Sequence, residues 1–537
     1  MINLLLSSIQ NSPTTFLKPP FSFFNTKLQQ KQEKQNLFIV ETKSRRATTF
    51  ACLSISRKRR SNGVSESEET VRYEQMGGGG ISALCGLGYW VQGSRCFPWL
   101  ALNFHMVHTL GLQPSTLQLV QYSCLLPMVA KPLYGVLSDV LYIGCGRRVP
   151  YISIGVCLQV LAWGSMAIFQ GAREVLPSLI ACALLSNLGA SITEVAKDAL
   201  VAEYGLRYRI NGLQSYALMA SAAGGVLGNL LGGYLLLRTP PKISFLVFSA
   251  VLSLQLLVSF SSKEESFGLP RKTETSSVLV SVKKQLSNLM EAIQEEEISQ
   301  PMIWAVASIS MVPLLSGSVF CYQTQVLNLD PSVIGTSKVI GQVVLLFLTV
   351  VYDRYLKTLP MRPLIHIVQL LYALSILLDY VLVKQINLGV GISNEVFVLC
   401  FSSLAEILAQ FKILPFAVRL ANMCPQGCEG SVTSFLASSL CLSQIVSAFL
   451  GVGLANVIGV TSSNYSNLSS GIIVQSLAAL VPLCFMHLVP MSEPVIEKGV
   501  KRSSSTRSTR RSKRVGRVIR QESIVYRRGR ESEEAQR

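Results

Sequence analysis

The chain of 537 residues is 49% hydrophobic and only 15% charged, against about 25% charged in an ordinary soluble protein, which argues against a soluble fold of this length. Its net charge of +18 sits almost wholly in two tails, with +9 in residues 1–60 and +8 in residues 491–537, so the body between them is nearly neutral. The basic balance therefore gives no ground for a nucleic-acid partner, and none is expected.

In chain order, residues 1–32 hold no Asp or Glu, seven Ser/Thr and several Lys. That acid-free, hydroxyl-rich, basic composition predicts an organelle transit peptide, plastid before mitochondrion, within a disordered leader over 1–76. Twelve apolar segments follow, near 81–108, 115–139, 149–170, 175–202, 212–237 and 242–261, then 301–325, 333–353, 361–383, 393–416, 430–459 and 471–490. Each is long enough to cross a bilayer, and only helices satisfy an open chain's backbone there. The expected fold is an all-α membrane protein of twelve transmembrane helices in two six-helix halves, 77–261 and 301–490. Between them, 262–300 is polar, and Val278, Val282, Leu286, Leu289 and Ile293 have the spacing of an amphipathic helix lying on the membrane face. Residues 491–537 read as a basic disordered tail.

Loops on the side of both tails carry Arg147, Arg148, Arg207, Arg209, Arg354, Lys357, Arg362 and Arg419, while the opposite loops carry Arg173, Arg238, Lys242 and Lys384. The positive-inside rule then places both termini in the stroma or cytosol. A weak internal repeat is also visible: Gly341…Asp353-Arg354…Arg362 follows the eighth segment as Gly135…Asp139…Arg148 follows the second. Duplicated halves put a substrate path between them.

Gly135-Val-Leu-Ser-Asp139 and Gly144-Cys-Gly-Arg147-Arg148-Val-Pro150-Tyr151 form a helix–loop–helix clasp, in which Arg147 and Arg148 can pair with Asp139 or a helix C-terminus. Together with Tyr89-Trp-Val-Gln92-Gly93, Leu126-Pro-Met-Val-Ala-Lys131-Pro-Leu-Tyr-Gly135, Asp198-Ala-Leu-Val-Ala-Glu203 and Arg419…Cys424-Pro425…Glu429, the clasp resembles the folate–biopterin transporters of the major facilitator superfamily. The resemblance covers roughly 80–490 and is more specific in the first half. It implies a secondary active transporter that moves folate or a related pterin by alternating access. Combined with the leader, this predicts a multi-pass protein of the chloroplast envelope, the plasma membrane being the alternative location.

Ionisable groups inside a span cost about 2.5–3.5 kcal/mol each and need a reason. Arg95 and Lys131 are candidate contacts for a substrate carboxylate, and Gln92 for orienting the ring. For Arg95 a structural Arg–Glu pair, and for Lys131 a snorkelling stem, are the competing readings. Glu194 and Asp198, one turn apart, suit proton coupling with Glu406 from the second half, or equally an ion-pair lock with Arg95 or Lys131. Asp139, Arg147 and Arg148 are assigned to the conformational clasp. Tyr89, Trp90, Phe97, Trp99 and Phe104 either stack on a heterocycle or face lipid. His105 with His108, and Cys424 with Cys428, are too sparse for a metal site, no cofactor is expected, and no enzyme motif is present. A proton is a candidate co-substrate, the lipid bilayer the surroundings, and a monomer the expected state. A carrier of another organic anion, or a sensor or scaffold that binds without flux, are the alternatives.

Overall fold

The computed structural model describes residues 78–141, 146–208, 213–262, 293–423 and 429–489, with single positions at 143, 283, 287, 290 and 291. The expected transit peptide, most of the linker with its amphipathic helix, and the basic tail lie outside the described residues. The described chain is helical but for turns and two isolated bridges.

The first half comprises α1 (Gly78–Gly93 continuing as Cys96–Phe104), α2 (Pro114–Ser123, Leu126–Val129 and Lys131–Val140), α3 (Val149–Ile168), α4 (Leu176–Tyr208), α5 (Leu213–Arg238) and α6 (Pro241–Ser261). The second comprises α7 (Glu296–Ser310 and Ser316–Cys321), α8 (Pro331–Arg354), α9 (Met361–Val383), α10 (Asn394–Phe401, Leu404–Phe411 and Leu414–Met423), α11 (Glu429–Val457) and α12 (Leu468–Ala478 with a 3₁₀ stretch Val481–Leu488). Nine of these are long and apolar enough to cross a membrane among the described residues. The other three, α1, α2 and α7, are chains of shorter helices, and α7 begins at Glu296, five residues before the expected start.

Proline explains several of the breaks. A proline lacks the N–H that would bond the carbonyl four residues earlier, so the helix opens in the preceding turn. Pro98 follows the break at Ser94–Arg95, Pro127 that at Cys124–Leu125, and Pro415 that at Lys412–Ile413. The chain compensates with tighter bonds, Phe97 N–H to the Ser94 carbonyl at 3.0 Å and Met128 N–H to Leu125 at 2.8 Å. Polar side chains from neighbouring helices cap carbonyls left over at the breaks, as a lipid environment demands. Asn187 Nδ2 donates to Cys124 O at 2.6 Å, Ser447 Oγ to Val312 O at 2.5 Å, and Lys412 Nζ to Ser308 O at 3.1 Å.

The two halves repeat a backbone device. α1 and α7 each end in a five-residue π-turn, His105–Thr109 and Tyr322–Val326, closed by Leu110 N–H on His105 O and Leu327 N–H on Tyr322 O, both 3.1 Å. The next residue takes a left-handed φ, 59° at Gly111 and 51° at Asn328, which Gly and Asn tolerate best. Pro114 and Pro331 then start the following helices from an extended residue. Leu110-Gly-Leu-Gln-Pro-Ser115 and Leu327-Asn-Leu-Asp-Pro-Ser332 are thus one turn written twice.

Close packing at small residues holds the bundle. A Cβ on Gly93 would lie 1.9 Å from Ser221 O, and one on Gly224 2.1 Å from Trp90 O, so α1 and α5 touch backbone to backbone. Across the halves α5 packs on α8, where Gly233 meets Pro331 and Ser332, and α2 packs on α11. Gln118 of α2 is the central tie: its Nε2 donates to Leu314 O at 2.6 Å and Ala448 O at 2.8 Å, and its Oε1 accepts from Gly317 N–H at 2.9 Å. Phe104 on Phe320, and Gln113 Oε1 accepting from Ser462 N–H, lie toward the same end, opposite the first and last described residues, Gly78 and Val489.

Candidate functional site

Two polar clusters face the space between the halves. In the first half, Glu194 of α4 accepts from Arg95 Nη1 at 2.8 Å and Lys131 Nζ at 2.8 Å, one carboxylate between two cations. The α1 break places Arg95 here, and the α2 break, with Pro132 opening its last piece, places Lys131. Asn187 links both breaks: it accepts from Arg95 Nη2 at 2.5 Å while capping Cys124. These side chains are 11–22% exposed, so water reaches them. Cys441 of α11 lies within electrostatic range of Lys131 and Glu194, which sets the triad beside the opposite half.

Behind the triad the cluster becomes buried. Lys197 donates to Gly88 O at 2.7 Å and Gln92 Oε1 at 2.9 Å, and its ammonium sits 4.8 Å from the centre of the Tyr89 ring. Tyr89 in turn donates to Asp198 Oδ1 at 2.5 Å. A cavity of about 10 Å³, room for about one water, is walled here by Gln92, Arg95, Thr193, Glu194, Lys197 and Gln255 among others. Gln92 is thus engaged by Lys197, and Glu194 and Asp198 serve different partners.

In the second half, Lys338 of α8 pairs with Glu406 of α10, both about half exposed at 44% and 51%. The pair faces inward: the neighbouring Gly341 and Gln342 of α8 meet Ser403 of α10 and Gly225 of α5, while exposed apolar residues such as Ile340, Val343 and Phe347 project from the opposite side of the helix. Tyr122 of α2 lies within electrostatic range of both groups and Asp379 of α9 within range of Lys338. Lys412, farther along α10 than Glu406, is 1% exposed inside the half and does not reach the pair's cavity.

The clasp residues lie apart, at the tail-side ends of α2, α3 and α4. Arg148 donates to Glu203 Oε1 at 2.5 Å and Ser138 Oγ at 2.6 Å, and Arg147 reaches Glu203 at 3.4 Å. The Asp139 side chain is outside the described residues. Sequence reasoning missed Glu203 as the acceptor, 55 residues along the chain from Arg148, and missed Lys338 altogether. In the second half Arg362 does a different job, capping the end of α12 through Val489 O at 2.6 Å.

Of the aromatic residues of α1, three are enclosed and the two tryptophans are partly exposed. Tyr89, Phe97 and Phe104 are buried, and Trp99 packs edge-on against Trp163 at 6.1 Å. Among the described residues no group of three or more His, Cys, Asp or Glu is placed to hold a metal.

A kinked two-half bundle with charged groups walled between its halves is the architecture of a membrane transporter. Solved structures share the fold: a D-xylose–proton symporter aligns at a TM-score of 0.56 and 15% identity over 76% of this chain and 97% of its own. The nucleoside transporter NupG aligns at 0.54 and 11% over 76% and 98%. The chain matches the BT1 family over residues 92–510, and it belongs to that family. Relatives include "Probable folate-biopterin transporter 8, chloroplastic" of Arabidopsis thaliana, 84% identical over 100% of this chain and 99% of that protein. "Folate-biopterin transporter" of Synechocystis sp. is 26% identical over 76% of this chain and 81% of its own. The alignment with the Arabidopsis protein includes the leader, and the chain is a multi-pass chloroplast membrane protein.

Proposed function

We propose that the protein is a twelve-span secondary transporter of folate or a related pterin in the chloroplast envelope, and that Arg95 and Lys131 receive the substrate's carboxylate. The observation that carries this is the charge balance of the first-half triad. Two cations share one carboxylate, so the cluster holds a net positive charge in a half-wet cavity, and an incoming carboxylate completes it. The relatives' names supply the substrate class, since a shared fold alone does not.

Gln118 and the contacts around it tie the halves at the end away from the tails, which supports a resting state open toward the tail side. Substrate release and rebinding then require those ties to break and the tail-side ends to close, a rocking of one half on the other. The clasp at Arg148–Glu203 joins α2, α3 and α4 so that the first half moves as a body. Proton coupling is assigned to Glu194 and Asp198: the substrate's carboxylate competes with Glu194 for Arg95 and Lys131, and the displaced Glu194, with Asp198 the second carboxylate one turn away, takes up the proton. The working unit is the monomer.

The test is uptake of labelled folate, and of a simple pterin, into liposomes holding the full-length protein, with and without an inward proton gradient. Saturable, gradient-stimulated uptake that is lost in Arg95→Ala at normal abundance supports the reading. Retained uptake in Arg95→Ala removes the carboxylate assignment.

A further inference from the structure

We infer that the Lys338–Glu406 pair is the subsite for the edge of the substrate's heterocycle, so that substrate binds with its ring on the second half and its carboxylate on the first. The inference rests on the folate or pterin reading above and adds an orientation to it.

The argument starts from charge. The first-half triad carries two cations and one carboxylate, whereas Lys338 and Glu406 neutralise each other. A free carboxylate gains more at the triad, where two cations face a single carboxylate and an uncompensated positive charge remains. A neutral polar group suits the second-half pair, because it can bond to both members without separating two charges in a low dielectric.

The second step is hydrogen-bond pattern. A 2-amino-4-oxo pteridine presents, side by side on one edge, two donors (the amino group and N3–H) and one acceptor (O4). A carboxylate accepts from two adjacent N–H donors in parallel, and a neighbouring ammonium donates to the carbonyl beside them. Glu406 and Lys338, in contact with one another, offer that complementary set in that order. Their exposure leaves the set open to a ligand: about half of each side chain is accessible on the inward side of the bundle. Glu406 has one further bond among the described residues, a long one from Gln410 Nε2 at 3.4 Å, which leaves its oxygens capacity for two more donors.

The third step is the surroundings. Tyr122 comes from the first half to within electrostatic range of the pair, with its hydroxyl 3.4 Å from Ser316 Oγ of α7. It brings an aromatic group from α2 to the place where the ring would lie. A substrate bridging the pair and the triad touches both halves at once, which is what couples occupancy to the movement of one half on the other.

Competition against labelled folate uptake in liposomes tests the inference, with the full-length protein and two fragments of the substrate as competitors. One is unsubstituted pterin, which has the ring edge and no carboxylate; the other is p-aminobenzoylglutamate, which has the carboxylates and no pteridine. In Glu406→Gln, which keeps the side-chain shape, pterin competition should weaken at least tenfold while p-aminobenzoylglutamate competition stays within twofold of wild type. Lys338→Met should show the same split. The retained fragment in each variant also reports that the protein is folded. Equal weakening of both fragments, or unchanged pterin competition, overturns the orientation while leaving the substrate reading intact. A wild-type protein that takes up no folate overturns both, and a variant competed by neither fragment counts against the subsite.

Discussion

Lys197 and Lys412 occupy equivalent places in the two halves. Each lies on the fourth helix of its half, donates to a backbone carbonyl of the first (Gly88 and Ser308), donates to a glutamine Oε1 (Gln92 and Gln369), and sits over a tyrosine ring at 4.8 and 4.5 Å. A buried ammonium is satisfied in both by two carbonyl-type oxygens and a π-face rather than by a direct salt bridge. The duplication explains why both lysines sit deep in apolar runs: they fasten the fourth helix to the first within each half.

Lys412→Met should therefore act on stability before transport. It leaves the Ser308 carbonyl and the Gln369 amide oxygen without their donor, at about 1–3 kcal/mol for each buried acceptor left unpaired. Thermal unfolding in detergent should show a clear drop, with the apparent folate affinity of the surviving protein unchanged. A changed affinity at unchanged stability would move Lys412 into the binding site.

Gln118→Leu removes three hydrogen bonds across the halves. At about 0.5–1.5 kcal/mol each, their loss should shift the equilibrium toward the opposite-facing state by roughly tenfold or more. Thiol labelling of cysteines introduced near Gln113 and Ser462 should rise in rate. Unaltered labelling would mean that the halves are held together elsewhere.

Gly93→Val tests the backbone contact between α1 and α5. Any Cβ there meets Ser221 O at 1.9 Å, so the helices must part, and the cost should exceed about 4 kcal/mol, enough to prevent accumulation of folded protein. Gly171→Ala, with nothing within 4 Å of the added carbon, should accumulate normally. Abundance of each variant in membranes checks the pair.

Asp198→Asn keeps the size of the group that accepts from Tyr89 and removes its charge. The coupling assignment predicts that exchange of folate across the bilayer continues while stimulation by a proton gradient disappears. A preserved pH profile would assign coupling elsewhere.

Much of the architecture was legible because a bilayer leaves few choices. Apolar segment length and the loop arginines needed no tertiary information. The breaks were also written in the sequence, since Pro98, Pro127 and Pro415 each remove one helical bond, but a hydropathy reading averages over them. Arg95, Lys131 and Glu194 could be picked out singly as costly charges within spans. Their arrangement as one triad could not, because it depends on Asn187 joining two kinks. Lys338 escaped notice because it lies seven residues into its helix, where a long stem reaching the interface is an ordinary reading. Glu203 stands within a recognisable motif, but its pairing with Arg148 across 55 residues has no local signal in the sequence.

The most direct measurement is counterflow: labelled folate outside liposomes that hold the full-length protein and a high concentration of unlabelled folate inside, with no ion gradient. Alternating access predicts a transient accumulation of label above its external concentration, saturable with external folate and absent in Arg95→Ala. Label that only equilibrates would indicate a pore, and label that binds without entering would indicate a receptor; either result would contradict the account.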